Sequence, residues 1–277
     1  MLYICRKGGS AMGLTLTILG CRGSFPVSGT DFTEFGGSTT AFLLDLNGNP
    51  LLIDAGSGIR NLPEQYYREK ELSVLLTHFH LDHLMGLLMF RYLLDPEHTL
   101  HIYAEAETEE LILAAVEQVF SPPLWPVSLQ EVPADIQVHL ISKQFQIGNY
   151  TIESHSGNHP GGVTVYKISG GKKSVVIASD CSFSEEIQAE LTEFAEGCDC
   201  LLADGQYCEE EWEAHKAYGH STQTAAARLG AESNALHTLI THHAPSHTDC
   251  FLLDSEKKLK KSFPSCSLAR EGEQHNL

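Results

Sequence analysis

Short runs rich in apolar and β-branched residues recur along the chain. Each is stopped by glycine, asparagine, aspartate or proline, which is the pattern of strands between turns. They stand at 14–20 (LTLTILG), 39–46 (TTAFLLDL), 50–56 (PLLIDAG) and 72–79 (LSVLLTHF), then at 100–105, 136–141, 150–156 and 163–169. Three more follow at 174–180 (SVVIASD), 200–205 (CLLADG) and 237–243 (HTLITHH). The period turns helical over about 82–95, 106–119, 183–196, 207–217 and 221–230, the last with Ser221 as a cap and a glycine stop. Strands come first and then mix with helices, in both halves. That order predicts two sheets facing each other with helices outside. No linker or low-complexity stretch divides the chain, so a single domain over 1–277 is expected, with 1–13 as a disordered or non-native leader. The proline-broken SPPLWPV (121–127) reads as a loop that either rims a site or covers core.

Composition narrows the partners. The net charge of -18 opposes long-range attraction to nucleic acid and to anionic membranes. A small anionic substrate stays open, because bound metal ions invert the local field. The eight cysteines form no CxxC pair, which suggests free thiols and a cytoplasmic setting rather than a disulfide scaffold. No run approaches the ~18 apolar residues of a membrane span, and no apolar segment follows the basic start as in a signal peptide.

The chemistry gathers at THFHLDH (77–83), directly after a buried apolar run. His78 and His80 are two apart and share a face of an extended segment, with Asp82 and His83 next. Nitrogen and oxygen ligands without cysteine suit a hydrolytic metal with an open position better than a structural zinc. Further ligand types end other strands: His159 in GNHPGG, Asp180 after SVVIAS, and His242 and His243 after HTLIT.

This HxHxDH loop, followed by a later His, an Asp and a final His, resembles the metallo-β-lactamase superfamily. The segments GCRGSFPVSG (20–29), FGGSTT (35–40), LLIDAGSGIR (51–60), HPGGVTVYKI (159–168), GHST (219–222) and HHAPSHTD (242–249) are similar to its phosphodiesterase branch, which includes ribonuclease Z. The resemblance spans nearly the whole chain. It implies an α/β (α+β) fold, a four-layer αββα sandwich with two divalent metal ions between the sheets. His78, His80 and His159 would bind the first; Asp82, His83 and His242 the second; Asp180 would bridge them. Asp82 is counted among the catalytic groups as well. Of the adjacent pair, the family pattern favours His242 as the ligand over His243, which is left behind it. Asp54, at the end of LLID, resembles the carboxylate that orients a ligand histidine. The ligands suit zinc, and also manganese or iron. Relatives often dimerise, so a homodimer is implied in the same way.

Two metals can hold a hydroxide between them and polarise the attacked group. His220 in GHST looks like the proton donor for the leaving oxygen. Asp204 stands where ribonuclease Z has a carboxylate, and could hold the imidazole in one tautomer and keep it charged. The chain departs from ribonuclease Z in three places. Only 20 residues separate His159 from Asp180, too few for that enzyme's RNA-gripping arm; the chain is acidic; and Ala244 replaces a common acidic residue. The expectation is therefore a phosphodiesterase acting on a small or cyclic nucleotide-like diester, with long nucleic acid disfavoured. The alternatives are a thioester, lactone or β-lactam hydrolase on the same fold, or a non-catalytic metal-binding sensor.

Overall fold

A computed structural model describes residues 13–277, and the leader expected over 1–13 falls almost wholly outside the described residues. Fourteen described strands follow in chain order. They are β1 (Leu14–Gly20), β2 (Ala41–Leu46), β3 (Asn49–Ile53), β4 (Glu71–Leu75), β5 (Thr99–Ala104), β6 (Asp135–Leu140) and β7 (Gln144–Ile147). Then come β8 (Tyr150–Gly157), β9 (Val163–Gly170), β10 (Lys173–Ala178), β11 (Cys200–Asp204), β12 (His237–Thr241), β13 (Cys266–Leu268) and β14 (Gln274–Asn276). They build two seven-stranded sheets, ordered β14-β1-β2-β3-β4-β5-β6 and β13-β12-β11-β10-β9-β8-β7.

Both sheets share one plan. An antiparallel meander (β1 to β3, β7 to β10) passes into parallel strands (β3 to β6, β10 to β13). Parallel strands are covered on both faces, which is why β11 and β12 are buried along nearly their whole length. Period-2 alternation sorts each strand's side chains between layers. Leu51, Ile53, Val175 and Ile177 point into the core between the sheets, with Phe42, Leu75, Tyr166, Leu202 and Leu239. Leu52 and Val74 face outward and pack under the helix α1 (Glu109–Val119) through Ile112 and Val116. Val176, Leu201 and Ile240 face the other way, towards α2 (Glu185–Phe194), α4 (Gln223–Glu232) and α5 (Asp249–Leu259), through Leu191, Ala226, Leu229 and Leu252. Between the last strands lies the short α3 (Glu209–His215). This is the four-layer αββα order expected from the pattern.

Three local expectations need correction, the first being the cap of α4, which is not Ser221 but Thr222, whose hydroxyl oxygen accepts Ala225 N–H at 3.1 Å. The segment 82–95 is not a helix but a chain of 3-10 turns, Leu81–His83, Met85–Met89 and Arg91–Leu94. Its backbone is committed elsewhere: Gly86 N–H donates to Ala55 O (2.9 Å) and His83 O accepts from Ala55 N–H (2.8 Å). A regular helix would consume both groups internally. The helix α5 and the strands β7, β13 and β14 were not expected at all. For α5 the signal existed, since Leu252, Glu256 and Leu259 form its buried stripe after the Thr248 cap. Trp125 of the proline-broken loop packs on the outer core of the first sheet, so that loop covers core. The described cysteines are free thiols, and no helix among the described residues is long and apolar enough to cross a membrane.

Candidate metal centre

The site forms where both sheets present the ends of their parallel strands. Asp54 follows β3, the loop His78–His83 follows β4, Asp180 follows β10, Asp204 ends β11, and His242 follows β12. His159 comes from the β8–β9 connection. Asp54, Asp180 and His242 all turn through left-handed backbone, at φ 58°, 54° and 63°. Side chains with a Cβ rarely adopt that region, and aspartate and histidine tolerate it better than most. The sharp turn swings each side chain off its strand end and into the gap between the sheets. The approach is tight: a Cβ at Gly23 would lie 2.5 Å from His242 Nε2.

Among the described residues, four sets of donors have atoms within 4.8 Å of one another and could hold a metal ion, all of them buried but His80, which is exposed. Two sets bring in His220, with His159 and Asp180 or with Asp204 and His242, and two are made of the expected ligands alone. One is His78, His80 and His159; the other is Asp82, His83, Asp180 and His242. Asp180 also reaches the first group, 3.7 Å from His78 Nε2 and 4.0 Å from His159 Nε2. It stands 3.2 Å from His83 Nε2 and 2.9 Å from His242 Nδ1. The donors fit a cation. Among the described residues, Nε2 of His78, His83 and His242 is buried with no hydrogen-bond partner, a costly condition for a polar atom unless something else coordinates it.

Hydrogen bonds behind the rings set which nitrogen faces the gap. Asp54 is fully buried and accepts the His83 Nδ1–H at 2.8 Å. It also accepts the Thr77 N–H (2.8 Å) and the Thr77 hydroxyl (2.9 Å). With its proton on Asp54, the Thr77 oxygen is free to accept from His78 Nδ1, 3.1 Å away. One carboxylate thus leaves Nε2 of both His78 and His83 as a lone pair pointing inward. His159 Nδ1–H donates to Gly219 O at 2.9 Å, with the same effect. Ser24 N–H holds Asp82 Oδ2 at 2.8 Å, and Thr40 Oγ1 lies 3.2 Å from His242 Nδ1. Thr77, Thr40 and Ser24 were missed in the sequence; only Thr77 carried a local signal, as the first residue of THFHLDH.

Electrostatics follow from burial among opposed charges. Burial opposes ionisation of Asp180, yet His242 and His83 hold its carboxyl well below the usual range. Asp82 is likewise lowered against its burial by His83. Burial disfavours the charged form of His242, but Asp180 and its fellow carboxylates hold the imidazole up at about 8. His83 is also raised, against burial, by Asp180, Asp54 and Asp82. His78 is pushed down to about 2 by burial and by the neighbouring His83. Anionic carboxylates thus gather the protons a cation would displace.

His220 stands over this group. Its ring stacks on His242 with centroids 4.9 Å apart and lies 5.0 Å from the ring of His159. Its Nδ1 is 2.7 Å from Asp204 Oδ2. Asp204 is fully buried and pinned by the N–H groups of Cys181 (3.2 Å), Gln206 (3.0 Å) and Ser221 (3.2 Å). His243 lies apart from both ligand groups. It is fully buried, has its Nε2 2.9 Å from Ala269 O, and meets the edge of Phe35. Burial pushes it down to about 3.

Comparison with known proteins gives a consistent picture. A family model described as "Beta-lactamase superfamily domain" matches residues 49–243. The chain is 25% identical to ribonuclease Z of Clostridium kluyveri, over 84% of this chain and 89% of that relative. Among solved structures it resembles the metallo-β-lactamase fold protein YhfI of Bacillus subtilis, with a TM-score of 0.73 and 20% identity over 96% of this chain and 100% of that one. It also resembles a diphosphatase of the PhnP family, with a TM-score of 0.68 and 20% identity over 95% of this chain and 98% of that one.

Proposed function

The chain belongs to the β-lactamase superfamily, and from that membership we propose that it is a metal-dependent phosphodiesterase acting on a small or cyclic nucleotide-like diester. His78, His80 and His159 would hold one divalent ion, Asp82, His83 and His242 a second, and Asp180 both; zinc suits the donors, as do manganese and iron. Ions bound there supply Lewis acidity towards a phosphoryl oxygen and a nucleophile near neutral pH. The chain's own residues do the rest. Asp54 and Thr77 keep the imidazole lone pairs aimed inward. Asp204 accepts the Nδ1–H of His220 and so fixes the ring's tautomer and direction. His220 Nε2 then delivers a proton to the oxygen that leaves.

That dyad is the observation that carries the reading. An alkoxide leaves phosphorus poorly without a proton, whereas a thiolate from a thioester needs none. Two further facts support a small substrate. The path from His159 to Asp180 is the plain hairpin β9–β10, turning at Gly171, with no inserted arm. The net charge of -18 disfavours a long polyanion. The names of the two relatives, a ribonuclease and a diphosphatase, both denote cleavage at phosphorus.

The test is His220→Ala on two diesters, one losing an alkoxide and one losing a nitrophenolate. Metal content should stay unchanged. On the alkoxide substrate kcat should fall by roughly 10²–10⁴, the usual worth of general acid catalysis, and far less on the nitrophenyl ester. Equal losses on both would remove the acid role. Faster turnover of thioester or lactone substrates than of any diester would overturn the phosphodiesterase reading.

A further inference from the structure

The residues just before His220 form a ladder of rings leading out of the site. Tyr207 meets the edge of His220 at 6.2 Å between centroids. His215 stacks on Tyr207 at 4.4 Å, with 21° between planes. Tyr218 stands edge-on to His215 at 5.5 Å. The inner end is buried, Tyr207 being 8% exposed, while Tyr218 at the outer end is 59% exposed.

The ladder is rigidly held. His215 Nδ1–H donates to Glu211 O at 2.8 Å, which fixes that ring on α3. Gly219 turns at φ 85°, and its carbonyl is the one that orients His159. A Cβ there would lie 2.1 Å from Pro160, so the turn presenting Tyr218 is locked against the His159 loop. A lone exposed tyrosine means little; this one ends a chain of ring contacts that starts at the proton donor. Phe25, 61% exposed, belongs to the same surround. Its neighbour Ser24 binds Asp82 through its N–H and accepts from Gln206 Nε2 at 2.8 Å, and Gln206 precedes Tyr207.

The proton donor must touch the leaving oxygen, so the rings on its side face whatever that oxygen carries. We propose that the leaving group is a nucleoside and that its base stacks on the exposed ring of Tyr218, a platform that His215 supports edge-on. This inference rests on the phosphodiesterase reading and names the substrate half it left open. Stacking suits this molecule: it recognises a neutral aromatic face and needs no basic surface on an acidic chain.

The experiment compares wild type, Tyr218→Ala and Tyr218→Phe. The substrates are methyl adenosin-5′-yl phosphate and the same diester lacking the base, with products identified. Calorimetric binding of adenosine to the metal-loaded proteins runs beside it. Tyr218→Ala should weaken adenosine binding about 10-fold and raise KM on the base-bearing diester by a similar factor, since one stacked base is worth about a decade of affinity. The abasic diester should be unaffected, Tyr218→Phe should behave as wild type, and adenosine with methyl phosphate should be the products. Equal effects on both diesters, or adenosine binding indifferent to Tyr218→Ala, would overturn the platform. Absence of turnover on both diesters would instead count against the phosphodiesterase reading, while adenosine binding would still decide the platform.

Discussion

Replacing Asp54 by asparagine separates holding the fold from aiming the ligands. Asp54 accepts from His83 Nδ1–H and from both donors of Thr77, and all of these groups are buried. Asparagine tolerates the left-handed φ of 58° and has the same shape, so its carbonyl oxygen can keep Thr77 N–H. Its other end, however, is an N–H donor. Facing that donor, His83 must present a bare Nδ1 and carry its proton on Nε2, the atom that points into the metal group. Loss of such a supporting carboxylate costs 10- to 100-fold in metal affinity, or about 1.4–2.7 kcal/mol. Stability without metal should change by less than that, because Oδ1 still accepts Thr77 N–H (2.8 Å) and the Thr77 hydroxyl (3.1 Å), and only the bond to His83 is traded. Asp54→Ala is the contrasting variant. It strands Thr77 N–H and His83 Nδ1–H, at about 1–3 kcal/mol for each buried unsatisfied group, and should lower the metal-free melting temperature clearly. Chelator competition for zinc gives the affinity, thermal unfolding gives the stability, and nitrogen NMR of the imidazoles reads the tautomer. An Asp54→Asn protein that binds two ions with wild-type affinity, or keeps the proton of His83 on Nδ1, would refute the reasoning.

Other expectations follow from the same contacts. His242→Ala should lose one ion per chain, whereas His243→Ala should keep both and only destabilise the core, as elemental analysis and unfolding would show; the reverse pattern would exchange their roles. Asp180→Ala should impair both ions, because the carboxylate reaches both ligand groups; retention of one ion at full affinity would deny the bridge. Glu256 is buried against Arg270 (2.8 Å) and accepts Leu268 N–H (3.0 Å), which hold its carboxyl at about 2 against its burial, from an ordinary 4.5. A lowered carboxyl contributes stability above the unfolded value and loses it as pH falls through the folded one. Glu256→Gln should therefore destabilise at neutral pH and lose much of that deficit between about pH 4.5 and 2, in urea titrations at each pH. A deficit constant across that window would contradict the pairing.

The pattern of the chain was enough for the layers. Strand ends, the two-residue spacing of His78 and His80, and the change from period 2 to helical period are local properties. Each is set by backbone geometry within a few residues, so the four-layer order and the clustering of ligand types at strand ends could be read directly. Tertiary structure decided what depends on a partner far away in sequence. The adjacent His242 and His243 are indistinguishable by type, but the left-handed turn at 242 sends one ring into the gap and the other under Phe35. The apolar spacing over 82–95 suits a helix, yet Ala55 takes the hydrogen bonds a helix would need. The link from Asp54 through Thr77 to His78 joins β3 to β4, and Ser24 meets Gln206 across 182 residues. Such contacts exist only once loop closure has brought their ends together, and a single chain's spacing carries no trace of them. The ladder from His220 to Tyr218 belongs with these: its residues are neighbours in sequence, but which rings stack, and which one is left bare, was settled by how α3 packs.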